Sequence, residues 1–306
     1  MVHDAVLVGA TLGHRFRLES HLGSGGMGDV FRGTDDRLRR PVALKIFSLA
    51  GAGAQDIRRY ADEARVLAGL SHPSLVALYD VGADTGPSSE PLAFLVMELV
   101  DGPTLQQRIE DEPLTPLEVA DVGRQLADAL GHAHAAGVVH RDIKPANVLI
   151  TDEATLSGDP DAPVLTVKLA DFGIAQSERG SAHPDARPTE ATLGTASYLS
   201  PEQALGKPLG PASDVYSLGL VLLEAITGER AYSGAPLTSS LARLIEPVEV
   251  PRSLGRGWWA LLTAMLAPHP DDRPTPSAVA ERLRTLRRPA LDEAEAAAGT
   301  DATPTT

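Results

Sequence analysis

The sequence predicts an α+β chain in two parts, strand-rich up to about residue 110 and helix-rich from Thr115 onward. Three observations carry this expectation. Short segments of alternating or β-branched residues fill the first part, helix-capping signals punctuate the second, and the composition is that of a packed chain. Of 306 residues, 43% are apolar and 22% charged, enough for a core and too little charge for wholesale disorder. The strands read as Phe16–Leu22, Asp29–Arg32, Pro41–Phe47, Leu75–Val81 and Ala93–Leu99, interrupted by one helix over about Asp56–Leu70. Thr115-Pro116-Leu117-Glu118 is a capping box with proline at the first helical position, and Gly137 closes that helix. Ser213 caps a helix over Asp214–Thr227, stopped by Gly228, whose stretch Val215–Leu223 is apolar nearly all round and therefore buried. Thr275-Pro276 opens a last helix ending near Arg288. Residues 1–15 read as a leader. Residues 289–306, rich in Ala, Glu, Thr and Gly without periodicity, read as a disordered tail.

Composition also excludes functions. The formal net charge is −14, so the chain is no general binder of nucleic-acid backbones. It has no cysteine, which removes disulfides, thiolate metal sites and cysteine nucleophiles and suits a reducing cytosol; a cytoplasmic location is expected. No apolar run approaches the ~18 residues of a membrane span, and the N-terminus lacks the basic flank of a secretory signal. Only four of the 27 basic residues are lysines: Lys45, Lys144, Lys168 and Lys207.

The chemistry-bearing residues fall in a definite order. Leu22-Gly23-Ser24-Gly25-Gly26-Met27-Gly28-Asp29-Val30 contains Gly-x-Gly-x-x-Gly-x-Val, whose small residues let backbone N–H groups approach a polyphosphate; a flexible hairpin turn reads equally well. A Rossmann site needs a helix to begin at the third glycine, whereas Asp29–Arg32 reads as a strand. Val42-Ala43-Leu44-Lys45 places a lysine in an apolar strand, where snorkelling is the structural alternative. Tyr60, Glu63, Ala64 and Leu67 share one helix face, so Glu63 sits on an apolar stripe and wants a counter-ion such as Lys45. His140-Arg141-Asp142-Ile143-Lys144-Pro145-Ala146-Asn147 sets a proton acceptor and an amide on one short loop, and Asp171-Phe172-Gly173 puts a second carboxylate at a strand end.

Taken together, these motifs resemble the signature of the protein kinase superfamily, over about Phe16 to Arg288. The wording of Ala93–Thr104 and of Tyr198-Leu199-Ser200-Pro201-Glu202-Gln203 is similar to bacterial Ser/Thr kinases of the eukaryotic-like type. The resemblance implies a bilobal protein-kinase fold. Its antiparallel N-lobe, about 16–100, carries one helix, and its C-lobe, about 101–288, is mainly helical. It implies ATP with Mg²⁺ (or Mn²⁺) as cofactors, protein substrates with Ser/Thr acceptors, the chain itself among them, and no nucleic acid. Residue by residue, Gly23, Gly25 and Gly28 with their neighbours Ser24, Gly26, Met27 and Asp29 cover the phosphates. Lys45, paired with Glu63, holds the α- and β-phosphates. Leu22, Val30, Ala43 and Leu149 flank the adenine beside Met97 and the Glu98–Val100 stretch. Asp142 accepts the substrate proton, Lys144 reaches the transferred phosphoryl, and Asn147 and Asp171 hold the metal.

Between Asp171 and Glu202 lies a long segment rich in Ser, Thr, Ala, Pro and charge, which reads either as a solvated loop or as a switch ordered by autophosphorylation of Thr189 or Thr192, clamped by Arg141. By the resemblance, Thr195 would face the substrate hydroxyl, Glu202 would pair with Arg273, and Asp214 would brace the catalytic loop. Two other readings compete, a pseudokinase scaffold and a small-molecule phosphotransferase. The first normally loses a lysine, aspartate or metal ligand, all present here; the second is opposed by the complete Gly194–Glu202 segment. Asp159–Pro163 lengthens the connection before Asp171 as a surface insert, and Tyr232–Gly257 is short and proline-broken relative to the family. His72, His132 and His134 have no ligand-spaced partners and read as structural, Trp258-Trp259 reads as helix packing, and no residue supports dimerisation.

Overall fold

A computed structural model describes residues 7–25, 28–49, 53, 64–85, 90–151, 162–172, 196–232 and 248–301. The chain divides into two units, one running to Asp101 and the other made of the described residues from Gly102 onward.

The first unit is a six-stranded sheet built from strands β1 (Thr11–Leu12), β2 (Phe16–Gly25), β3 (Gly28–Asp35), β4 (Arg40–Ser48), β5 (Leu78–Thr85) and β6 (Pro91–Met97). Their order is β1-β2-β3-β4-β6-β5, antiparallel throughout. Alternation along the strands puts Phe16, Leu18, Phe31, Val42, Leu44, Ile46, Leu92, Phe94 and Val96 in one core. Leu7 and Leu12 are buried in that same core, which corrects the reading of residues 1–15 as a leader. Burying a leucine contributes about 1.5–3 kcal/mol, and polar ties add to it. The Gly9 N–H donates to Leu18 O, the Gly13 N–H to Asp84 Oδ2 at 2.6 Å, and Arg15 bridges the buried Asp35 and the more exposed Asp80 at 2.7 and 2.8 Å. A two-residue strand has no periodicity of its own, so only its later partners reveal it.

The fourth predicted strand is also displaced, from Leu75–Val81 to Leu78–Thr85. Gly82 and Asp84 are poor strand formers, yet backbone pairing with β6 carries them, and a Cβ at Gly82 would overlap the Phe94 ring. Residues 64–68 are helical and Gly69 turns out of the helix, which thus ends two residues before the predicted Leu70; residues 56–63, Glu63 included, lie outside the described residues.

The second unit contains α1 (Leu105–Asp111), α2 (Pro116–Ala135), strands β7 (Val148–Ile150) and β8 (Val167–Leu169), then α3 (Pro201–Ala204), α4 (Pro211–Thr227), α5 (Arg256–Met265) and α6 (Pro276–Asp301). The Thr115 hydroxyl accepts from the Glu118 N–H and the Glu118 carboxylate accepts from the Thr115 N–H, with proline next in line. Gly137 and Gly228 take left-handed φ of 78° and 74° just past α2 and α4. Helix α2 packs on α4 and α6 at Gly123, where an added Cβ would crowd Leu222 and Leu283 at 2.9 Å.

Three expectations change. Helix α4 begins at Pro211, not after Ser213: Ser213 lies in its first turn, where its Oγ accepts the Gly210 N–H and donates to Glu202. Helix α1 lies in the part read as strands, and α5, to which the reading of Trp258-Trp259 as helix packing gave no bounds, spans Arg256–Met265. Helix α6 continues past Arg288 to Asp301 through residues assigned to a disordered tail. Low hydrophobicity argues against packing, but Ala and Glu are strong helix formers and need no packing to coil. Of the tryptophan pair, Trp258 is buried and Trp259 stacks under the Arg252 guanidinium at 4.5 Å.

Candidate active site

In the first unit, the glycine segment is the β2–β3 hairpin, with Ser24 opposite Asp29 and Gly25 opposite Gly28. His21 pairs with Phe31 and Gly23 with Val30, so Leu22 is bulged out of the ladder and 52% exposed. His21 Nε2 lies 3.1 Å from Ser24 Oγ across that bulge. The glycines are not equivalent. Gly28 has φ 139° and a Cβ there would overlap the Ile46 carbonyl, so the fold itself demands glycine. A Cβ at Gly23 meets nothing within 4 Å, so packing does not account for that glycine. Gly26 and Met27 lie outside the described residues. Lys45 sits at mid-strand opposite Val30 and Leu95 and is only 8% exposed, too buried for an ordinary snorkelling lysine. Ala43 is opposite Met97, and Glu98 exchanges two hydrogen bonds with Ala77, through its backbone N–H and its carboxylate. Val30 and Val100 are half-buried.

In the second unit, Gly137 turns the chain from α2 into the loop His140–Asn147. The loop closes around Asp142: Lys144 Nζ donates to its Oδ2 at 2.9 Å, and Asn147 Nδ2 donates to its backbone carbonyl and to Oδ2 at 2.8 and 3.1 Å. Both donors use one oxygen. Among the described residues nothing donates to Oδ1. Pro145 opens a single 3₁₀ turn, Pro145–Asn147, that aims Asn147 back along the loop. The turn leads into β7, where half-buried Leu149 faces Lys168 of β8. Asp171, just past β8, holds φ 61°, an uncommon conformation for aspartate, and the Ala170 N–H before it donates to Asn147 O.

Asp214, on α4, braces the loop from below. Its two oxygens accept the His140 N–H at 2.8 Å, the Arg141 N–H at 2.9 Å and His134 Nε2 at 2.7 Å. Arg141 is held in φ 70° there, with its carbonyl accepting Gln203 Nε2 at 2.8 Å. Glu202 and Arg273 form a bidentate pair at 2.7 and 3.0 Å. Thr189, Thr192 and Thr195 lie outside the described residues.

The partners of several residues are not legible in the sequence. His134 reads as structural, and its place is on Asp214. Tyr198 donates to Glu224 at 2.5 Å and Glu224 accepts from Arg230, which fixes the start of the segment before α3; burial first, then Glu224, pushes the phenol far above its usual range. His140 is wholly buried. The Asp142 N–H donates to its Nδ1, so Nε2 carries the proton and donates to Ala170 O at 2.9 Å, with Phe172 stacked 4.6 Å away. Burial holds this imidazole below its usual 6.5, against the pull of Asp214 and Asp142. The unfolded chain therefore binds a proton below pH ~6.5 that the folded chain refuses. Stability is full above that pH and falls as pH drops below it. Melting curves from pH 7.5 to 5.5 should show this decline, and His140→Gln should flatten it; equal slopes would refute the assignment.

The Protein kinase domain family matches residues 16–283. Serine/threonine-protein kinase PknA of Mycobacterium tuberculosis is 42% identical over 246 residues, 78% of this chain and 53% of that protein. PknL of Mycobacterium bovis is 42% identical over 249 residues, 81% of this chain and 57% of that protein, and PknB of Mycobacterium tuberculosis 40% identical over 271, 86% and 41%. The chain thus spans about half the length of these relatives. Since the family match takes in nearly all of the sheet and the helices that carry the loop around Asp142, this chain belongs to the protein kinase domain family.

Proposed function

We propose that the chain transfers the γ-phosphoryl of ATP to serine or threonine hydroxyls of proteins. The observation that carries the reading is the asymmetry of Asp142: among the described residues Lys144 and Asn147 both engage one oxygen and none engages the other, which in this reading accepts a hydroxyl proton. The same two donors fix the carboxylate's orientation, and Lys144 keeps an ammonium beside the reacting hydroxyl, as a charge-rich transition state requires. Relatives named as serine/threonine-protein kinases support the acceptor class.

Lys45 binds ATP phosphates in this reading, with Gly23 leaving backbone room that packing does not require. Asn147 uses its Nδ2 within the loop; its Oδ1, a hard oxygen, and the Asp171 carboxylate are donors of the kind Mg²⁺ takes. When bound, Mg²⁺ neutralises phosphate charge. Thr189 or Thr192 would be modified by the chain itself, with Arg141 taking the phosphate, and the absence of cysteine favours a cytoplasmic setting.

The test is incubation with γ-labelled ATP, Mg²⁺ and a protein substrate. Wild type should yield acid-stable phosphoserine or phosphothreonine. Lys45→Met should keep the melting temperature and lose labelling by about 10²-fold or more. A rate within a few-fold of wild type would remove Lys45 from the reaction.

A further inference from the structure

Helix α6 places an arginine where helix packing alone has no need of one. Arg287 is buried, and its Nε donates to Asp121 Oδ1 of α2 at 2.7 Å while Nη2 donates to the Ala162 carbonyl at 2.6 Å. Asp121, with no exposure, uses its other oxygen to accept the Val164 N–H at 2.8 Å. One turn along α2, buried Gln125 donates to Leu165 O at 2.7 Å and accepts the Val167 N–H at 3.2 Å.

Two leucines would join α2 and α6 without the desolvation cost of a buried ion pair. What leucines cannot do is donate to a backbone carbonyl and accept from a backbone N–H two residues on. The ion pair therefore specifies the path of residues 162–165 more than it specifies helix packing. That path enters β8, a three-residue strand paired, among the described residues, only with the three-residue β7, a ribbon too short to hold itself. At its far end Ala170 is tied to Asn147 and His140, and Asp171 follows in a left-handed conformation. Such a conformation persists for aspartate only where the surroundings over-determine it.

We infer that Arg287, with Asp121 and Gln125, is a positioning residue of the phosphoryl-transfer site: it sets Asp171 by fixing the entry of β8. The inference rests on the reading of Asp171 as a metal-holding carboxylate. It makes the C-terminal helix part of the reaction's support, although no residue of that helix belongs to the motifs.

Two variants in the full chain test it. Arg287→Met removes the bonds to Asp121 and to the Ala162 carbonyl. Arg287→Lys keeps a cation beside Asp121 but cannot span to Ala162 as well. Both should exchange the Val164 and Val167 amides about 10-fold faster in the protein without nucleotide, with α4 amides unchanged. Both should raise the Mg²⁺ concentration for half-maximal rate by about 10-fold, with the KM for protein substrate within two-fold. The lysine variant should melt within a few degrees of wild type, which separates positioning from bulk stability. Wild-type exchange at Val164 and Val167 together with wild-type Mg²⁺ dependence in Arg287→Lys would overturn the inference. An inactive wild type would instead defeat the kinase reading, while the exchange experiment would still report on the anchoring.

Discussion

Asp142→Asn is expected to lower the rate of phosphoryl transfer by about 10²–10⁴-fold, the range removed with a general base, while leaving the fold intact. The asparagine is isosteric. Its carbonyl oxygen can take the place of Oδ2 and keep the bonds from Lys144 and Asn147 at 2.9 and 3.1 Å. Its amide nitrogen then occupies the place of Oδ1, where it donates a proton instead of accepting one. The backbone of residue 142 stays fixed, because the Asp142 N–H and carbonyl are held by His140 and Asn147. Melting temperature and the KM for ATP should therefore remain close to wild type, and the loss should fall on kcat. A variant that labels substrate within about ten-fold of wild type would show that Oδ1 accepts no proton in the rate-limiting step.

The largest stability effect is expected at Arg273. Its guanidinium is fully buried and wholly engaged: two bonds to Glu202, three to the carbonyls of Ala267, Ala212 and Pro268, and the Tyr216 ring 4.8 Å away. Arg273→Met leaves the buried Glu202 carboxylate without its cation, with the Ser213 hydroxyl as its remaining side-chain donor among the described residues, and strips a donor from three carbonyls. Breaking a buried pair in this way costs about 3–5 kcal/mol, on the order of 10 °C in melting temperature for a chain of this size. Glu202→Gln should cost less, since the cation keeps its carbonyls and gains a neutral acceptor. Burial pushes Glu202 up, but the bonds from Arg273 and Ser213 outweigh it and hold the carboxyl below its usual range. This stability is present above the ordinary carboxylate pKa and lost as pH falls through the lowered one, so the gap between wild type and Arg273→Met should narrow in acid. Equal unfolding free energies for the two proteins at neutral pH would remove the pair from the lobe's support.

Much of this was legible in the chain because it is local. Capping boxes, left-handed glycines and strand alternation act over three to eight residues, and α2, β3 and β4 follow from them. Readings failed where a signal was short or where composition was asked to stand for conformation. Leu7 and Leu12 carry no pattern, and their burial depends on strands that come later. The Ala- and Glu-rich residues after Arg288 lack an apolar stripe but not helix propensity. The glycine segment reads in sequence as one motif, and the packing divides it, with Gly28 required by the fold and Gly23 left open.

By itself, then, the sequence supplied the candidate residues for chemistry: Lys45 in an apolar strand, Asp142 and Asn147 five residues apart, Asp171 at a strand end. It could not determine how those groups are oriented, since orientation is imposed by side chains far away in the chain. Asp214 lies more than seventy residues beyond the backbone N–H groups it grips, and Arg287 lies 125 residues beyond the Ala162 carbonyl. Hydrogen bonds of that span leave no trace in local periodicity. They exist only once the helices have packed, because burial is what makes an unpartnered polar group costly enough to demand them.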